Sequence, residues 1–148
     1  MYIVLDTNVL FSAFHSPEGP SRAVVDLVLD GDITMCLTTP LVKEYEYVLL
    51  GYREKIGITE SETVAAIDLI CDIGLNCDVY FLHRWFVMDP YDAHVLEAAT
   101  NSPAQFLITN NVRDFTGPEQ FLGAPSWGVP LITPSEFIRL WNQPSPSK

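Results

Sequence analysis

At 148 residues, with 48% hydrophobic and 18% charged residues, the chain has the size and composition of one globular domain and not of a disordered segment. Eight basic and nineteen acidic residues give a net charge of −11, which speaks against an extended nucleic-acid surface but leaves room for acids gathered around a metal. Cys36, Cys71 and Cys77 show no C-x-x-C pairing, and His15, His83 and His94 lack metal-ligand spacing, so a disulfide framework and a zinc site are both disfavoured and a reducing cytosol is expected.

The run Tyr2-Ile3-Val4-Leu5 is apolar on both faces, as buried parallel strands are, and ends in Asp6-Thr7-Asn8. It has no basic segment ahead of it and Asp6 interrupts it, so a secretory signal is rejected. No stretch approaches the roughly 20 apolar residues of a membrane helix, and a cytoplasmic protein without membrane contact is expected. Ser21 opens a helix through Val24, Val25, Leu27, Val28 and Leu29, stopped by Gly31. Ile33 to Thr38 reads as a second strand, and Thr39-Pro40 as the cap and first residue of a helix with Leu41, Val42, Tyr45, Val48 and Leu49 on one face. Thr59-Glu60-Ser61-Glu62 is a capping box opening a helix with Val64, Ile67, Leu69 and Ile70 that ends near Gly74.

A short strand is expected over Asp78 to Leu82, and Asp89-Pro90 repeats the cap-then-proline signal before Val95, Leu96, Ala98 and Ala99. Phe106 to Thr109 and Pro130 to Ile132 are the remaining strands, the latter followed by a helix start at Thr133-Pro134-Ser135-Glu136. Residues 117–128, rich in Gly and Pro, read as a long surface loop, and the tail from residue 142 to 148 as disordered. Strands alternating with helices imply βαβ units: an α/β fold whose central parallel sheet is covered by helices on both faces. Right-handed crossovers bring every strand's carboxyl end to one edge, where open sheets bind ligands.

Four acids fall near that edge. Asp6 ends the first strand, Glu44 is early in the helix after the second, Asp92 is in the first turn after Asp89, and Asp114 follows the strand ending at Thr109. Converging carboxylates raise one another's pKa, and a hard divalent cation relieves the repulsion. An oxygen-only donor set selects Mg²⁺ or Mn²⁺, which acidifies water and neutralises charge building on a phosphate. Asp89 reads more simply as a helix cap, Thr7 as a turn residue, and Asn8 equally as a capping residue. His94 stays outside the chemistry, Arg113 reads as solvated, and Trp85, Phe86 and Trp127 read as core or interface aromatics.

Ile3-Val4-Leu5-Asp6-Thr7-Asn8, the Glu44 helix, Asp89-Pro90-Tyr91-Asp92-Ala93-His94-Val95-Leu96 and Leu107-Ile108-Thr109-Asn110-Asn111-Val112-Arg113-Asp114-Phe115 together resemble the PIN domain. The motifs stand in the family's order from Met1 to about Trp141, which is expected to be the domain, residues 1–141. The chain is similar to stand-alone prokaryotic members, the toxin components of VapC-type toxin–antitoxin pairs. The resemblance implies a Rossmann-like three-layer α/β/α sandwich and a Mg²⁺- or Mn²⁺-dependent endoribonuclease. Asp6, Glu44, Asp92 and Asp114 would be its catalytic quartet, with Asp6, Asp92 and Asp114 on the metal. Asn8, Thr109 and Asn111 would support them; many members carry an acid where this chain has Asn111. An RNA substrate, an antitoxin partner and a homodimer are further implications. Two rivals stand beside this reading. A phosphatase of the haloacid dehalogenase type needs a second Asp two residues after the first, and Asn8 holds that place. A PIN-like module that binds RNA or protein without cutting is the alternative: the four acids argue against it, and the −11 charge and Asn111 keep it open.

Overall fold

The apolar runs become the strands of one sheet. The computed structural model describes residues 1–80, 90–112 and 129–144, those of 90–92 by backbone alone. Strands β1 (Tyr2–Leu5), β2 (Thr34–Leu37), β3 (Leu75–Asn76), β4 (Phe106–Ile108) and β5 (Leu131–Ile132) are all parallel, in the order β3-β2-β1-β4-β5. The central strand is β1, with Ile3 opposite Met35 on one side and Val4 opposite Leu107 on the other. Ile3, Val4 and Leu5 are all fully buried, which is why the strand shows no polar alternation: both of its faces are covered.

The helices are α1 (Thr7–His15), α2 (Pro20–Leu29), α3 (Thr39–Gly51), α4 (Arg53–Ile56), α5 (Glu60–Ile73), α6 (Pro90–Thr100) and α7 (Pro134–Trp141). They complete a three-layer α/β/α sandwich in which α6 packs on β1 and β4, α5 on β2, and α1 and α7 on α2. The spacing of α3 sends Leu41, Tyr45 and Leu49 into the core, each fully buried. Burial of such side chains contributes roughly 1.5–3 kcal/mol apiece. Along α6, Ala93, Ala98 and Ala99 let the helix lie close to the sheet beside Val95 and Leu96.

The capping box at Thr59 and Glu62 forms as expected, and a second joins Thr133 to Glu136. On α5 the buried face is Ile67 and Ile70 with Thr63, whereas Val64 and Leu69 are exposed. Several expectations shift. The cap of α3 is Thr38, whose Oγ1 accepts from the Leu41 amide, one residue earlier than Thr39. Helix α2 begins at Pro20 behind Gly19. The strand expected over Asp78 to Leu82 is displaced: β3 is Leu75–Asn76, residues 78–80 carry no strand, and Phe81 and Leu82 lie outside the described residues.

Geometry explains that displacement. Gly74 ends α5 so close to β2 that a Cβ there would stand 2.4 Å from Leu37 Cδ1. The chain therefore enters the sheet at once, with Leu75 opposite Cys36, and the Cys77 amide donates to the Leu37 carbonyl at 2.7 Å. Helix α1 was not expected at all. It starts at Thr7, which is a helical residue and not a turn residue. The loop 117–128 and residues 145–148 lie outside the described residues.

Candidate active site

Parallel strands set their carboxyl ends along one edge, and Asp6, Thr38, Thr109 and Thr133 each follow a strand there. Thr38 and Thr133 cap the helices that begin beside them. Asp6 and Thr109 do something different: Thr109 Oγ1 donates to Asp6 Oδ2 at 2.7 Å. Asp6 occupies the N-cap position of α1, yet its side chain makes no capping hydrogen bond. An aspartate cap normally accepts from the first turn's amides; here the carboxylate is turned to the neighbouring strand's end instead. Its backbone amide is pinned to the Ile108 carbonyl at 2.9 Å. Only 6% of Asp6 is exposed and none of Thr109, so the pair is a buried carboxylate with a fixed donor. The amino-terminal end of α1 lies beside it and favours negative charge.

Glu44, one turn into α3, is reached by α1: Thr7 Oγ1 donates to Glu44 Oε2 at 2.8 Å. Each of the two acids thus has one oxygen bonded to a threonine hydroxyl. Next to Glu44 in the chain is Tyr45, fully buried, whose hydroxyl donates to the carbonyl of Leu5, the residue before Asp6. Burial pushes that phenol well above its ordinary pKa, and the charges of Asp6 and Glu44 push it further. It therefore stays protonated and works as a donor only. Asn8 ties the edge together, its Oδ1 accepting from the Asn110 amide at 3.3 Å, while the Asn111 amide donates to Thr109 Oγ1 at 3.1 Å.

Asp6, Thr7, Asn8, Glu44 and Asn111 line a single cavity of about 420 Å³. The same cavity is walled by Phe11, Val48, Tyr52 and Lys55, none of which the motifs single out. Phe11 belongs to the unexpected helix α1, and Lys55 to the one-turn helix α4, so their placement was invisible without those elements. Of the expected quartet, Asp6 and Glu44 are brought together. Asp92 is in the first turn of α6, its side chain outside the described residues; Asp114, Asp89 and Arg113 lie outside them too. Among the described residues no group of three or more His, Cys, Asp or Glu side chains comes together that could hold a metal. His94 borders a second cleft, and its Nδ1 is 3.9 Å from the buried Glu97 carboxylate.

Comparison with known proteins agrees with this architecture. The PIN domain matches residues 2–113 of the chain. No curated protein matches the sequence. Among solved structures, the fold is similar to a chain of VapBC2 from Rickettsia felis bound to a DNA fragment from its promoter, with a TM-score of 0.57 and 16% identity. That likeness covers 90% of this chain and 98% of the other. The matched stretch holds β1 with Asp6, α3 with Glu44, α6 and β4 with Thr109, the elements that build the cleft. The chain belongs to the PIN domain family of nucleases.

Proposed function

We propose that the chain is an endoribonuclease dependent on Mg²⁺ or Mn²⁺, and the toxin half of a toxin–antitoxin pair. The observation that carries this reading is the buried Asp6 carboxylate, fixed by Thr109, facing the same cavity as the Thr7-anchored Glu44. The donor set fits a hard cation: carboxylate and amide oxygens, with no thiol or imidazole lining the cavity among the described residues. Asp6, with Asp92 and Asp114, would hold the ion. When bound, it supplies acidified water and neutralises the charge that develops on a phosphate.

The chain's own residues supply the rest. Thr109 and Thr7 each hold one carboxylate oxygen, so the acids keep their rotamers as substrate arrives. Glu44 would complete the shell around the ion or orient the attacking water. Attack by water on the phosphorus would leave 5′-phosphate and 3′-hydroxyl ends. The likeness to a chain of VapBC2 supports an antitoxin partner, and a cytoplasmic homodimer is part of the same proposal. A binding module without cleavage rests on the net charge of −11 and on Asn111, an exposed amide lining the cavity where many PIN enzymes carry an acid.

Cleavage of single-stranded RNA by the purified chain decides between them: products are expected in Mg²⁺ or Mn²⁺ and none after chelation. Cutting that survives the chelator would sink the metal-dependent reading, and no cutting in either metal would leave the binding module. Within the first reading, Thr109→Val is expected to reduce cleavage roughly 10- to 100-fold, the usual cost of losing a residue that orients a metal ligand. Thr109→Ser, which keeps the hydroxyl, should recover most of that loss. Equal rates for the Val and Ser variants would show that the bond to Asp6 is not needed.

A further inference from the structure

Two of the chain's three lysines, Lys43 and Lys55, border clefts that meet at Glu44, an unexpected concentration in a protein of net charge −11. In each cleft the lysine is accompanied by an exposed tyrosine on the same stretch of chain. Lys55 shares the 420 Å³ cavity with Tyr52, which is 53% exposed; Lys43 shares a neighbouring cleft of about 820 Å³ with Tyr47, which is 80% exposed. Tyr52 lines both. Its ring is buttressed edge-on by Phe11 at 5.6 Å and 74°, and Phe11 in turn stacks on His15 at 5.7 Å. Tyr52 is thus a braced, half-exposed aromatic platform next to the acids, with a cation beside it.

A positive charge beside an acidic site serves a ligand that is itself anionic. An aromatic face beside that charge serves a ligand with a flat apolar part. A nucleotide has both, and the recurrence of the lysine–tyrosine pair in two clefts that share Glu44 suits a polymer of them. A peptide would meet the same faces without a regular spacing of negative charge. Paired bases in a duplex have no face to offer, so the strand must be single.

We propose that Tyr52 and Lys55 form a nucleotide subsite for single-stranded RNA, the base stacking on Tyr52 and the phosphate held by Lys55 next to Asp6 and Glu44. Lys43 and Tyr47 receive the following nucleotide. The choice of RNA rests on the nuclease reading above, but the geometry of the subsite does not depend on cutting.

The test is binding of a fluorescein-labelled single-stranded RNA of about ten nucleotides, followed by anisotropy in Mg²⁺ in an Asp6→Asn background. Adding Tyr52→Ala is expected to weaken binding roughly 5- to 150-fold, the range for loss of one stacked base, while Tyr52→Phe stays within about twofold. Lys55→Gln should lower the salt slope of the affinity by about 0.7, the share of one phosphate contact on a single strand. The same RNA as a duplex should show no dependence on Tyr52. No RNA binding at all, or Tyr52→Ala within about twofold of its parent with an unchanged melting curve, overturns the proposal. A duplex that loses equal affinity also overturns it, since stacking would not be the cause. RNA binding with the expected dependence, in a wild-type chain that cuts nothing, supports the subsite and sinks the nuclease reading.

Discussion

Asp6→Asn is expected to lower RNA cleavage by more than about 100-fold. Replacing a residue that merely orients a ligand costs roughly 10- to 100-fold, so losing the negative oxygen that faces the cation should exceed that range. The folded state should persist. The Asp6 side chain makes no capping bond that could be lost, and an asparagine amide oxygen can still accept from Thr109. Removing one of two carboxylates that share a cavity also removes repulsion, so the melting temperature should hold or rise. Initial rates on a labelled RNA and a thermal melt of the same sample check both halves. A variant that cuts at the wild-type rate would remove Asp6 from the chemistry; one that is inactive because it is unfolded would show it in the melt.

Tyr45→Ala is expected to cost about 3–5 kcal/mol of stability, the range for deleting a large buried ring. Against a typical total of about 5–15 kcal/mol, that leaves a marginal protein. The milder Tyr45→Phe isolates the hydroxyl and should cost about 1–3 kcal/mol, because the Leu5 carbonyl loses its buried donor. A pH signature follows. Tyr45 is held well above its ordinary 10.0, chiefly by burial, and burial pushes the Cys36 thiol from 9.0 up to about 11. Both groups are neutral in the fold and ionise more easily in the unfolded chain. Their contribution is therefore complete below the unfolded values and is lost as pH rises through the range above about 9 to 10. Urea midpoints should fall across that range in the wild type and less steeply in Tyr45→Phe. Midpoints that are flat with pH would contradict the buried, protonated phenol.

The parallel sheet could be read from the sequence because its strands are short apolar runs separated by helix caps, and each cap is a local signal. Thr59 with Glu62 and Thr133 with Glu136 are visible as letters and form as geometry. Helix α1 could not be read in the same way. Its cap residue is Asp6, and nothing in the residue order reveals that its carboxylate bonds Thr109, 103 residues away, instead of the first turn. A residue with two possible partners has its choice made by tertiary structure. The misplaced strand has a comparable cause: Asp78 to Leu82 has the right composition, but the close approach of Gly74 to Leu37 brings the chain into the sheet three residues sooner.

Motif spacing found the residues that hold oxygen atoms at the sheet edge, because strand ends and helix starts can be counted. Asp6 and Glu44 are where counting puts them. The walls of the cleft escaped, since Phe11, Tyr52 and Lys55 come from the junctions around α1 and α4, two elements without a strong local pattern. Thr7 also escaped. Its hydroxyl bridges α1 to Glu44, a contact that exists only once two helices are packed.

The Asp6 amide bonds the Ile108 carbonyl where the sheet's innermost strand ends, flanked by β2 and β4. An amide in that position exchanges with solvent deuterium only when the whole molecule opens, so Asp6 should be among the slowest protons to be lost. Lys55 rides instead on a single turn of helix that can fray by itself, and Tyr52 sits at the junction where α3 ends and that turn begins. The reacting floor is thereby anchored to the last structure to come apart, while the Lys55 end of the rim opens independently of it.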